Sequence, residues 1–433
     1  NEGIDIPEID TVLFLRPTES LTIFLQQLGR GLRLADGKTC LTVLDFVAQA
    51  NQSYNYESRF RALVGKTTDS IEKEIKKGFT FLPRGCSITM ERQAQEYILK
   101  NIHEAVFNLK RLRKECRSFT QNTGQELTYE NFINNFNLDW RLVYKTPGSW
   151  SRLKVQSGIE VADFDVNDDY IKLLEGGLAR LYHTNSHEYL SYLDNLIRMG
   201  MKHPENATTR QNKFLKLFYY TICMNDIEKV NTNYNKNFNT IEEAVLSFAN
   251  IKWFMEELRF LVTLRRNQLC QTTQWLKVSD EAEIELYGCY SADEIHLLLE
   301  DKLGRWQVLG TQYNHENKFA MVFVTLNKSD KEYSPSTLYE DYAISQEQFH
   351  WQSMNQVRQD SEEGRRITEQ RTNGWKFILF VRDAKQDEYG NTNAYYCLGF
   401  MNYHSSHGEC PMNVVWNMQN NIPGFILENA KAI

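Results

Sequence analysis

Two arginines and a glutamine near the start of the chain have the residue types and the spacing to bind a phosphate group. Gln26, Arg30 and Arg33 follow one another at i, i+4 and i+7, so on a helix they would share one face. The planar guanidinium group of arginine presents paired N–H donors that match the oxygen atoms of a phosphate. An ordinary solvated helix face can have the same composition, and that alternative stays open at this point.

The neighbouring residues predict the elements that hold these side chains. "TVLFL" at 11–15 is a continuous apolar run typical of a strand in a parallel sheet, and "TCLTVLDFV" at 39–47 is a second one. A helix is predicted between them, from Glu19 to Leu32. Strand, helix and strand together predict a βαβ unit. A leucine stripe is expected to pack on the sheet and comprises Leu21, Leu25, Leu28 and Leu32.

Gly29 and Gly31 lie inside this predicted helix, although each costs about 1 kcal/mol relative to alanine there. We interpret them as positions where the backbone approaches another group closely. "QQLGRGLR" fits the pattern Q-x-x-G-R-x-x-R, and "NEGIDIP" stands before it. Together these residues resemble motifs V and VI of the superfamily 2 helicases, which include the DEAD/DEAH-box enzymes and the restriction-type translocases. The resemblance covers residues 1 to about 50, as the end of a second RecA-like domain.

The resemblance implies a role for each matching residue. Arg30 and Arg33 would be arginine fingers that reach the γ-phosphate of ATP and stabilise the charge of the transition state. Gln26 would orient these arginines or contact the nucleotide. The other implied contacts are those of Asp5 and Gly29 with the nucleotide and of Gly3 with the nucleic-acid strand.

The same resemblance implies that part of the motor precedes Asn1. The Walker A lysine, the DEAD/DEAH acid pair and the first RecA-like domain would lie there, so ATP and Mg²⁺ are expected only in the longer protein. "ALVGKTTDS" at 62–70 contains GKT but lacks the earlier glycine of a Walker A motif, and we interpret it as a loop. This chain alone is therefore expected to bind no cofactor and to hydrolyse no ATP.

Residues 51–282 have a mostly helical pattern and are predicted to form an accessory region. The helix predicted over 90–119 ends in a basic cluster that suits a phosphate backbone, and that equally complements the C-terminus of a helix. The cluster comprises Lys110, Arg111, Arg113, Lys114 and Arg117. His183 and His187 stand at i and i+4 without an evident third ligand, so we expect structural histidines and no metal site.

The last third of the chain is predicted to be rich in strands. Ser291 and Glu294 form a capping box after a strand-like run, so residues 283–303 are compatible with a winged-helix-like connection. From 304 to 433, β-branched and aromatic runs separated by Asn, Gly, Asp and Ser predict a sheet or a barrel, and we expect a barrel-like domain. The predicted fold is therefore multidomain, with an α/β remnant, a mainly α region and a β-rich domain.

A polar and aromatic stretch of this last domain has the residue types that bind nucleic acid. Aromatic rings beside amides and arginines can stack on a base and read its edge. Gln352 suits an adenine edge, and Arg365 suits a guanine or a phosphate. The alternative is that Phe349 and Trp351 belong to the core while the polar residues face outwards. The candidates are Tyr342, His350, Trp351, Gln352, Arg365 and Arg366.

Four stretches also resemble the uncharacterised C-terminal region found behind some bacterial superfamily 2 helicases. They are "LNKSDKEYSPSTLYEDYAIS", "FHWQS", "FVRD" and "GECPMNVVWNM". The resemblance extends from about residue 80 to the end of the chain and implies architecture rather than chemistry. The strands show neither the D…E-x-K spacing nor the H-N-H signature of a nuclease.

Composition limits the classes of function. The chain has a net charge of −7 and no apolar run long enough to cross a membrane, so we expect a soluble protein without a membrane partner. Its eight cysteines are scattered, which suits a reducing cytoplasm. The leading hypothesis is a fragment of an ATP-dependent DNA helicase or translocase of a restriction or phage-defence system, with duplex DNA as its partner. The second is a non-enzymatic scaffold that docks a nuclease or methylase subunit.

Overall fold

A computed structural model of the 433-residue chain divides into two compact units. The first comprises Asn1–Trp140 and Gln156–Ile159, and the second comprises Arg141–Val155 and Glu160–Ile433. Across the described residues, no helix has the length and the apolar character needed to span a bilayer. The structure describes residues 7–15, 21–33, 35–36, 38, 40–45, 56–64, 74–75, 79, 87–92, 94–95, 98–99, 109–136, 138–269, 274–304, 306, 310–327, 341–387, 390–424 and 426–427.

The first unit contains the strand–helix–strand arrangement that the sequence predicts. β1 (Thr11–Phe14) and β2 (Thr42–Asp45) pair in parallel, with Thr11 opposite Thr42. The helix α1 (Leu21–Gly31) lies between them in the chain. Two parallel neighbours need such a crossover, because their connection must return to the same end of the sheet.

The face of α1 that is buried differs from the predicted leucine stripe. Leu25 and Leu32 are 40% and 61% exposed, whereas Phe24 is 3% exposed and Gly31 is buried. The buried face is therefore rotated by roughly 70° from the leucines, at 100° per residue. The reason is that Phe24 packs against Phe14, with 5.2 Å between the ring centroids, and that the missing side chain of Gly31 lets this side approach the strands closely.

Further helices of the first unit are α2 (Tyr56–Val64), α3 (Leu109–Thr123) and α4 (Tyr129–Phe136). Phenylalanines join α3 to α4, because the ring of Phe119 lies 5.8 Å from that of Phe132. Both rings are fully buried. Of the predicted GKT loop at 62–70, only residues 62–64 are described, and they belong to α2.

The helical part of the second unit agrees with the helical pattern of the middle of the chain. Asp168, Ser186 and Thr208 each accept a hydrogen bond from a backbone N–H in the first turn of the helix that follows, which explains where these helices begin. The helices are α5 (Arg141–Lys145), α6 (Trp150–Gln156, whose last residue belongs to the first unit), α7 (Asp169–Arg180), α8 (His187–Arg198), α9 (Thr209–Cys223), α10 (Ile227–Tyr234), α11 (Ile241–Ser247) and α12 (Lys252–Asn267).

After a separate hairpin of β3 (Trp275–Lys277) and β4 (Glu283–Glu285), the C-terminal strands form one mixed sheet. The strands of the sheet are β5 (Cys289–Tyr290), β6 (Thr311–Asn314), β7 (Phe319–Thr325), β8 (Tyr342–Ala343), β9 (Gln348–Gln352), β10 (Lys376–Arg382), β11 (Tyr395–His407) and β12 (Asn413–Met418). Their order in the sheet is β6-β7-β10-β11-β12-β9-β8, and β5 pairs with β11. β7 and β10 are parallel, and the other neighbours are antiparallel.

The predicted closed barrel is wrong, because this sheet is open. Its order ends at β6 on one side and at β8 on the other, and no pairing among the described strands joins the two. All residues of β7 are buried, and so are those of β10 after Lys376. A sheet buried on both faces is covered on both sides rather than closed on itself.

One side of the sheet, which we call the core face, carries the main hydrophobic cluster. Trp351, Phe377 and Trp416 belong to this cluster and are almost completely buried. α14 (Glu362–Thr368) contributes Ile367 to the same cluster, so this helix lies on the core face. The short α15 (Gln370–Asn373) follows it in the chain.

The predicted capping box is confirmed at the start of α13 (Ala292–Glu300). The Glu294 N–H donates to the Ser291 hydroxyl at 3.3 Å, and the Ser291 N–H donates to the Glu294 carboxylate at 2.7 Å. Every residue from Glu294 to Leu299 is buried. A recognition helix needs exposed side chains to enter a DNA groove, so this burial argues against that role for α13.

Candidate nucleotide and nucleic-acid interfaces

The end of α1 presents the polar residues that the sequence singles out. Gln26 and Arg30 stand at i and i+4 and are both exposed, on the side away from the buried Phe24. Arg33 is exposed too, but it lies after the helix, which ends at Gly31. The predicted common helical face is therefore right for Gln26 and Arg30 and wrong for Arg33, since a glycine favours the end of a helix.

Lys38, which was not among the residues predicted from the sequence, holds the backbone around Arg33 in place. Its ammonium group donates to the carbonyl oxygens of Gly31 at 2.5 Å, Arg33 at 2.9 Å and Pro7 at 3.1 Å. A lysine just after a helix commonly binds the last carbonyl groups, so its position was the available signal. Arg33 is thus attached to the end of α1 and to the segment that contains Pro7.

The two glycines of α1 differ in their surroundings. A Cβ added to Gly31 would lie 2.9 Å from Cδ1 of Leu41 and 3.0 Å from Cγ2 of Val12, so this position needs glycine for close packing. A Cβ added to Gly29 would meet no heavy atom of the described residues within 4 Å. Packing within this part of the chain therefore explains why a glycine is needed at Gly31. It does not explain why position 29 is a glycine.

α3 has a basic side and an apolar side. Lys110, Arg113, Lys114 and Arg117 stand at i, i+3, i+4 and i+7, and Lys110, Lys114 and Arg117 are exposed. The apolar side consists of Leu112, Cys116 and Phe119, all 1% exposed or less. Of the predicted cluster, Arg111 lies at the edge of the basic side, about 100° from Lys110.

Two arginines of this basic side are held by residues of the same unit. The Arg113 guanidinium donates to Oε1 of Gln156 at 2.6 Å and 3.2 Å, and Nε of Arg117 donates to the carbonyl of Ser157 at 2.6 Å. The helix continues to Thr123, more than a turn beyond Arg117. The alternative that the cluster complements a helix C-terminus is therefore wrong, because the dipole acts within the last turn.

In the C-terminal sheet, the alternation along β9 separates the aromatic candidate from the polar ones. Trp351 is 3% exposed and lies on the core face, with its ring 6.3 Å from that of Trp416. It cannot stack on a base in this position, so the structure favours the alternative that Phe349 and Trp351 are core residues. Gln352 points to the opposite side, because successive side chains of a strand alternate.

The opposite side of β9, β12 and β11 carries rows of amide groups. Gln348 stands opposite Asn417, which stands opposite Asn402, and Gln352 stands opposite Asn413. Directly opposed residues share a face of a sheet. All of these residues are partly exposed. We call this set the amide face, and its members are Gln348, Gln352, Asn402, Asn413 and Asn417.

Hydrogen bonds connect the amides across the strands. Nε2 of Gln348 donates to Oδ1 of Asn417 at 3.0 Å, and Nε2 of Gln352 donates to Oδ1 of Asn413 at 2.9 Å. Of these residues, only Gln352 was predicted from the sequence, because its partners are distant in the chain and become neighbours only through the strand register.

Tyr342 and His350 also lie beside the amide face. The two residues are paired across β8 and β9, and their rings are stacked with 4.6 Å between centroids. The structure thus brings together the predicted candidates Tyr342, His350 and Gln352. His350 is only 7% exposed, so Tyr342 is the more accessible ring of the pair.

The arginine candidates of this domain lie elsewhere. Arg365 and Arg366 belong to α14, which packs on the core face, so they are not near Gln352. Arg365 donates to the carbonyl of Asp360 at 2.6 Å, and Arg366 pairs with Glu362 and lies 5.2 Å from the Tyr313 ring centroid. Gly3 and Asp5, the remaining candidates, lie outside the described residues.

Of the histidine pair of the sequence, His183 is bound by a buried carboxylate, and His187 is exposed. Nε2 of His183 lies 2.7 Å from the Glu294 carboxylate, and both side chains are buried. Burial by itself would raise the pKa of Glu294, but His183 and the capping hydrogen bonds lower it to about 2. Glu188, next to His187, binds Arg210 at 3.0 Å. Within the described ranges, no group of three potential ligands is placed to hold a metal ion.

Two comparisons relate this chain to known proteins. The family described as "Domain of unknown function (DUF3427)" matches residues 284–429, which include the C-terminal sheet, and this domain occurs in helicase-associated proteins. A protein of Saccharomyces cerevisiae with the name "Putative ATP-dependent helicase IRC3" is 42% identical over 50 residues. That match covers 12% of this chain and 7% of the yeast protein. Both similarities indicate a helicase-associated protein.

Proposed function

We propose that this chain is the C-terminal part of an ATP-dependent DNA helicase or translocase of superfamily 2. The observation that carries the proposal is the exposure of Gln26 and Arg30 on the helix of a parallel strand–helix–strand unit. These residues belong to the segment that resembles motif VI. The similarity to a yeast protein named as an ATP-dependent helicase supports the same context.

Arg30 is the residue that we propose to act on ATP, with Arg33 as a second cation. A guanidinium group that contacts the γ-phosphate stabilises the charge spread over its oxygens in the transition state. Gln26, one turn before Arg30, is placed to orient it. ATP and Mg²⁺ supply the phosphoryl chemistry, and the residues of this chain position and neutralise charge.

Gly29 fits a nucleotide beside this helix. Alanine would be more favourable by about 1 kcal/mol in a helix interior, and a Cβ would meet no described atom within 4 Å. A glycine that packing does not explain is consistent with close approach of a ligand to the backbone.

The basic side of α3 is the surface that we propose for the phosphate backbone of DNA. Lys110 and Lys114 are about 6 Å apart along the helix axis, and Arg117 lies about 4.5 Å further, at 1.5 Å per residue. A row of this length can follow successive phosphates of one strand. No acidic residue lies between these exposed cations on their side of the helix, since Glu115 is turned about 100° from Lys114.

The motor assignment is tested by Arg30→Ala in the full-length protein. We expect DNA-stimulated ATP hydrolysis to fall at least 10³-fold, which is the order of magnitude found for arginine fingers. Arg198→Ala is the matched control, because the side chain of this arginine is 72% exposed and its ion pair among the described residues is with Asp194 on its own helix. Unchanged turnover of the Arg30 variant would refute the proposed role.

The setting in a restriction or phage-defence system rests on analogy with helicases that carry extra recognition modules. The second candidate function is a scaffold that docks a nuclease or methylase subunit, and the DUF3427 match at 284–429 is neutral between the two. A DNA-binding titration of this chain at several salt concentrations separates them. Binding that weakens as salt increases supports the DNA interface, whereas no binding at low salt supports the scaffold.

A further inference from the structure

On the side of the sheet that carries the amide face, β9, β11 and β12 have no charged residue at their described positions. The neighbouring strand β10 places the exposed Lys376 and the nearly buried Arg382 on this side, because they alternate with Phe377 of the core face. The ammonium group of Lys376 donates to the carbonyl oxygen of Val278 at 2.7 Å. The strands β9, β11 and β12 place amides, imidazoles, one hydroxyl group and one valine there. These positions are Gln348, His350, Gln352, Asn402, Ser405, His407, Asn413, Val415 and Asn417. The positions of β9, β11 and β12 thus supply no cation to neutralise a phosphate and no carboxylate to repel DNA. An uncharged polar surface of this kind suits the uncharged part of a nucleic acid, which is the base.

The amides retain hydrogen-bonding capacity beyond their contacts with one another. A primary amide has two N–H donors and a carbonyl oxygen with two lone pairs. In the part of the chain that the structure describes, the Gln348 side chain makes one hydrogen bond, through one N–H, to Asn417. Its carbonyl oxygen and second N–H can therefore bind a ligand in a bidentate manner. Asn417 in turn keeps one lone pair and one N–H donor, since its other N–H is shared with Nδ1 of His404, 3.4 Å from Nδ2 of Asn417.

The width of the sheet decides which form of DNA can reach these amides. β11, β12, β9 and β8 are consecutive neighbours, so they span about 14 Å at about 4.8 Å per strand spacing. The major groove of B-DNA is about 12 Å wide and admits a helix or a two-stranded ribbon. This broad face cannot enter the groove, and the bases must come to it out of the duplex. Sheets that bind single strands in this way stack and read unpaired bases.

We propose that the amide face binds the unpaired bases of single-stranded DNA, with Gln348 and Asn417 reading base edges and Tyr342 offering a ring for stacking. This inference rests on the proposed function, because it names the form of DNA that the C-terminal domain recognises. A helicase produces such strands. The amides contact the bases and not the phosphates, so their contribution to affinity depends little on salt.

Adenine is the base that the amide face fits best. The carbonyl and N–H groups of Gln or Asn match the N6 donor and the N7 acceptor of adenine in a bidentate pair. On the corresponding edge, thymine has no exocyclic amino group and offers one carbonyl acceptor beside a methyl group. We therefore expect oligo(dA) to bind more tightly than oligo(dT) of the same length.

The test measures the binding of fluorescent dA12 and dT12 to the whole chain at two salt concentrations. Gln348→Leu and Gln348→Glu remove the amide donors, and the second keeps the shape of the side chain. Each is expected to lower the ratio of dA12 to dT12 affinity about tenfold, the value of one bidentate pair. The salt dependence of binding to dT12 is expected to stay the same for Gln348→Leu. Gln346→Leu is the matched control, because Gln346 is exposed in the turn before β9.

The outcomes separate this inference from the proposed function. The inference is supported if the wild-type protein binds dA12 more tightly than dT12, and if this ratio of affinities falls in both Gln348 variants and persists in Gln346→Leu. Equal affinity for dA12 and dT12, or a ratio that the Gln348 variants leave unchanged, overturns it while the DNA interface stands. If neither oligonucleotide binds at any salt concentration, the DNA-recognition role of the chain fails together with the inference.

Discussion

The two glycines of α1 allow a prediction in which one substitution stabilises the helix and the other destabilises it. In Gly31→Ala, the new Cβ would lie 2.9 Å and 3.0 Å from the two Cδ atoms of Leu41 and 3.0 Å from Cγ2 of Val12. Carbon atoms prefer separations of about 3.5–4.0 Å, so each contact is short by at least half an ångström. Leu41 can rotate, but the β-branched Val12 is restricted at χ1 and sits on a strand.

The net effect follows from two opposing terms. Overpacking costs about 1–3 kcal/mol, and the gain in helix propensity from glycine to alanine is at most about 1 kcal/mol at a helix end. Gly31→Ala is thus expected to destabilise α1 by about 1 kcal/mol. In Gly29→Ala, only the gain in helix propensity applies, because no described atom lies within 4 Å of the added Cβ. This substitution is expected to stabilise the helix by about 0.5–1 kcal/mol.

Hydrogen exchange of the α1 amides measures this difference locally. Peptides covering residues 21–33 are expected to exchange more slowly than wild type in Gly29→Ala and faster in Gly31→Ala. Slower exchange in Gly31→Ala would refute the close packing of α1 against Val12. In the full-length motor, Gly29→Ala is expected to lower ATP hydrolysis although its helix is more stable, and full activity would refute the interpretation that a nucleotide approaches Gly29.

Two further predictions concern the basic side of α3 and the buried acid of α13. Lys114→Ala and Arg117→Ala are each expected to reduce the slope of log affinity against log salt for duplex DNA by about 1, and unchanged slopes would exclude them from the phosphate contacts. Burial would raise the pKa of Glu294, but His183 lowers this pKa to about 2. The ionised Glu294 carboxylate therefore stabilises the folded state above pH 4.5, and this stabilisation is lost as the pH falls towards 2. The free energy of unfolding is expected to fall by about 3 kcal/mol over that range and to be flatter in Glu294→Gln, as measured by urea unfolding followed by tryptophan fluorescence.

Local features of the fold could be predicted from the sequence because they depend on neighbouring residues. Two apolar runs around a helical pattern were enough to predict the parallel pair of β1 and β2, and the spacing of Ser291 and Glu294 was enough to predict a capping box. The rotation of α1 was not predictable in this way. It depends on Phe24 packing against Phe14 and on a close contact at Gly31, and leucine spacing contains neither.

The order of the C-terminal strands could not be predicted, and this caused the error about the barrel. Barrels and open sheets both consist of β-branched and aromatic runs between turns, so the pattern is the same for the two. What distinguishes them is whether the edge strands pair, and this depends on the strand order. The order here includes the parallel pairing of β7 with β10, which are separated in the chain by β8, β9 and the helices α14 and α15. Pairing at this distance depends on burial of both faces of these strands, not on local preference.

Part of the candidate site in this sheet could be predicted from the sequence, because successive side chains of a strand alternate between its two faces. Trp351 and Gln352 are adjacent in the run predicted as a strand, so their side chains must point to opposite faces. Stacking by Trp351 and base reading by Gln352 therefore could not occur at one surface, and the predicted strand alone excluded one of them. The other apolar and aromatic members of the core cluster on the side of Trp351, such as Trp416, decide which one. The amides opposite Gln352 and Gln348 then follow from the register with β12, which the sequence does not contain. The side chains of a polar and aromatic stretch in a strand are thus divided between the two faces of the sheet. Only the side chains on the polar face are available to a ligand.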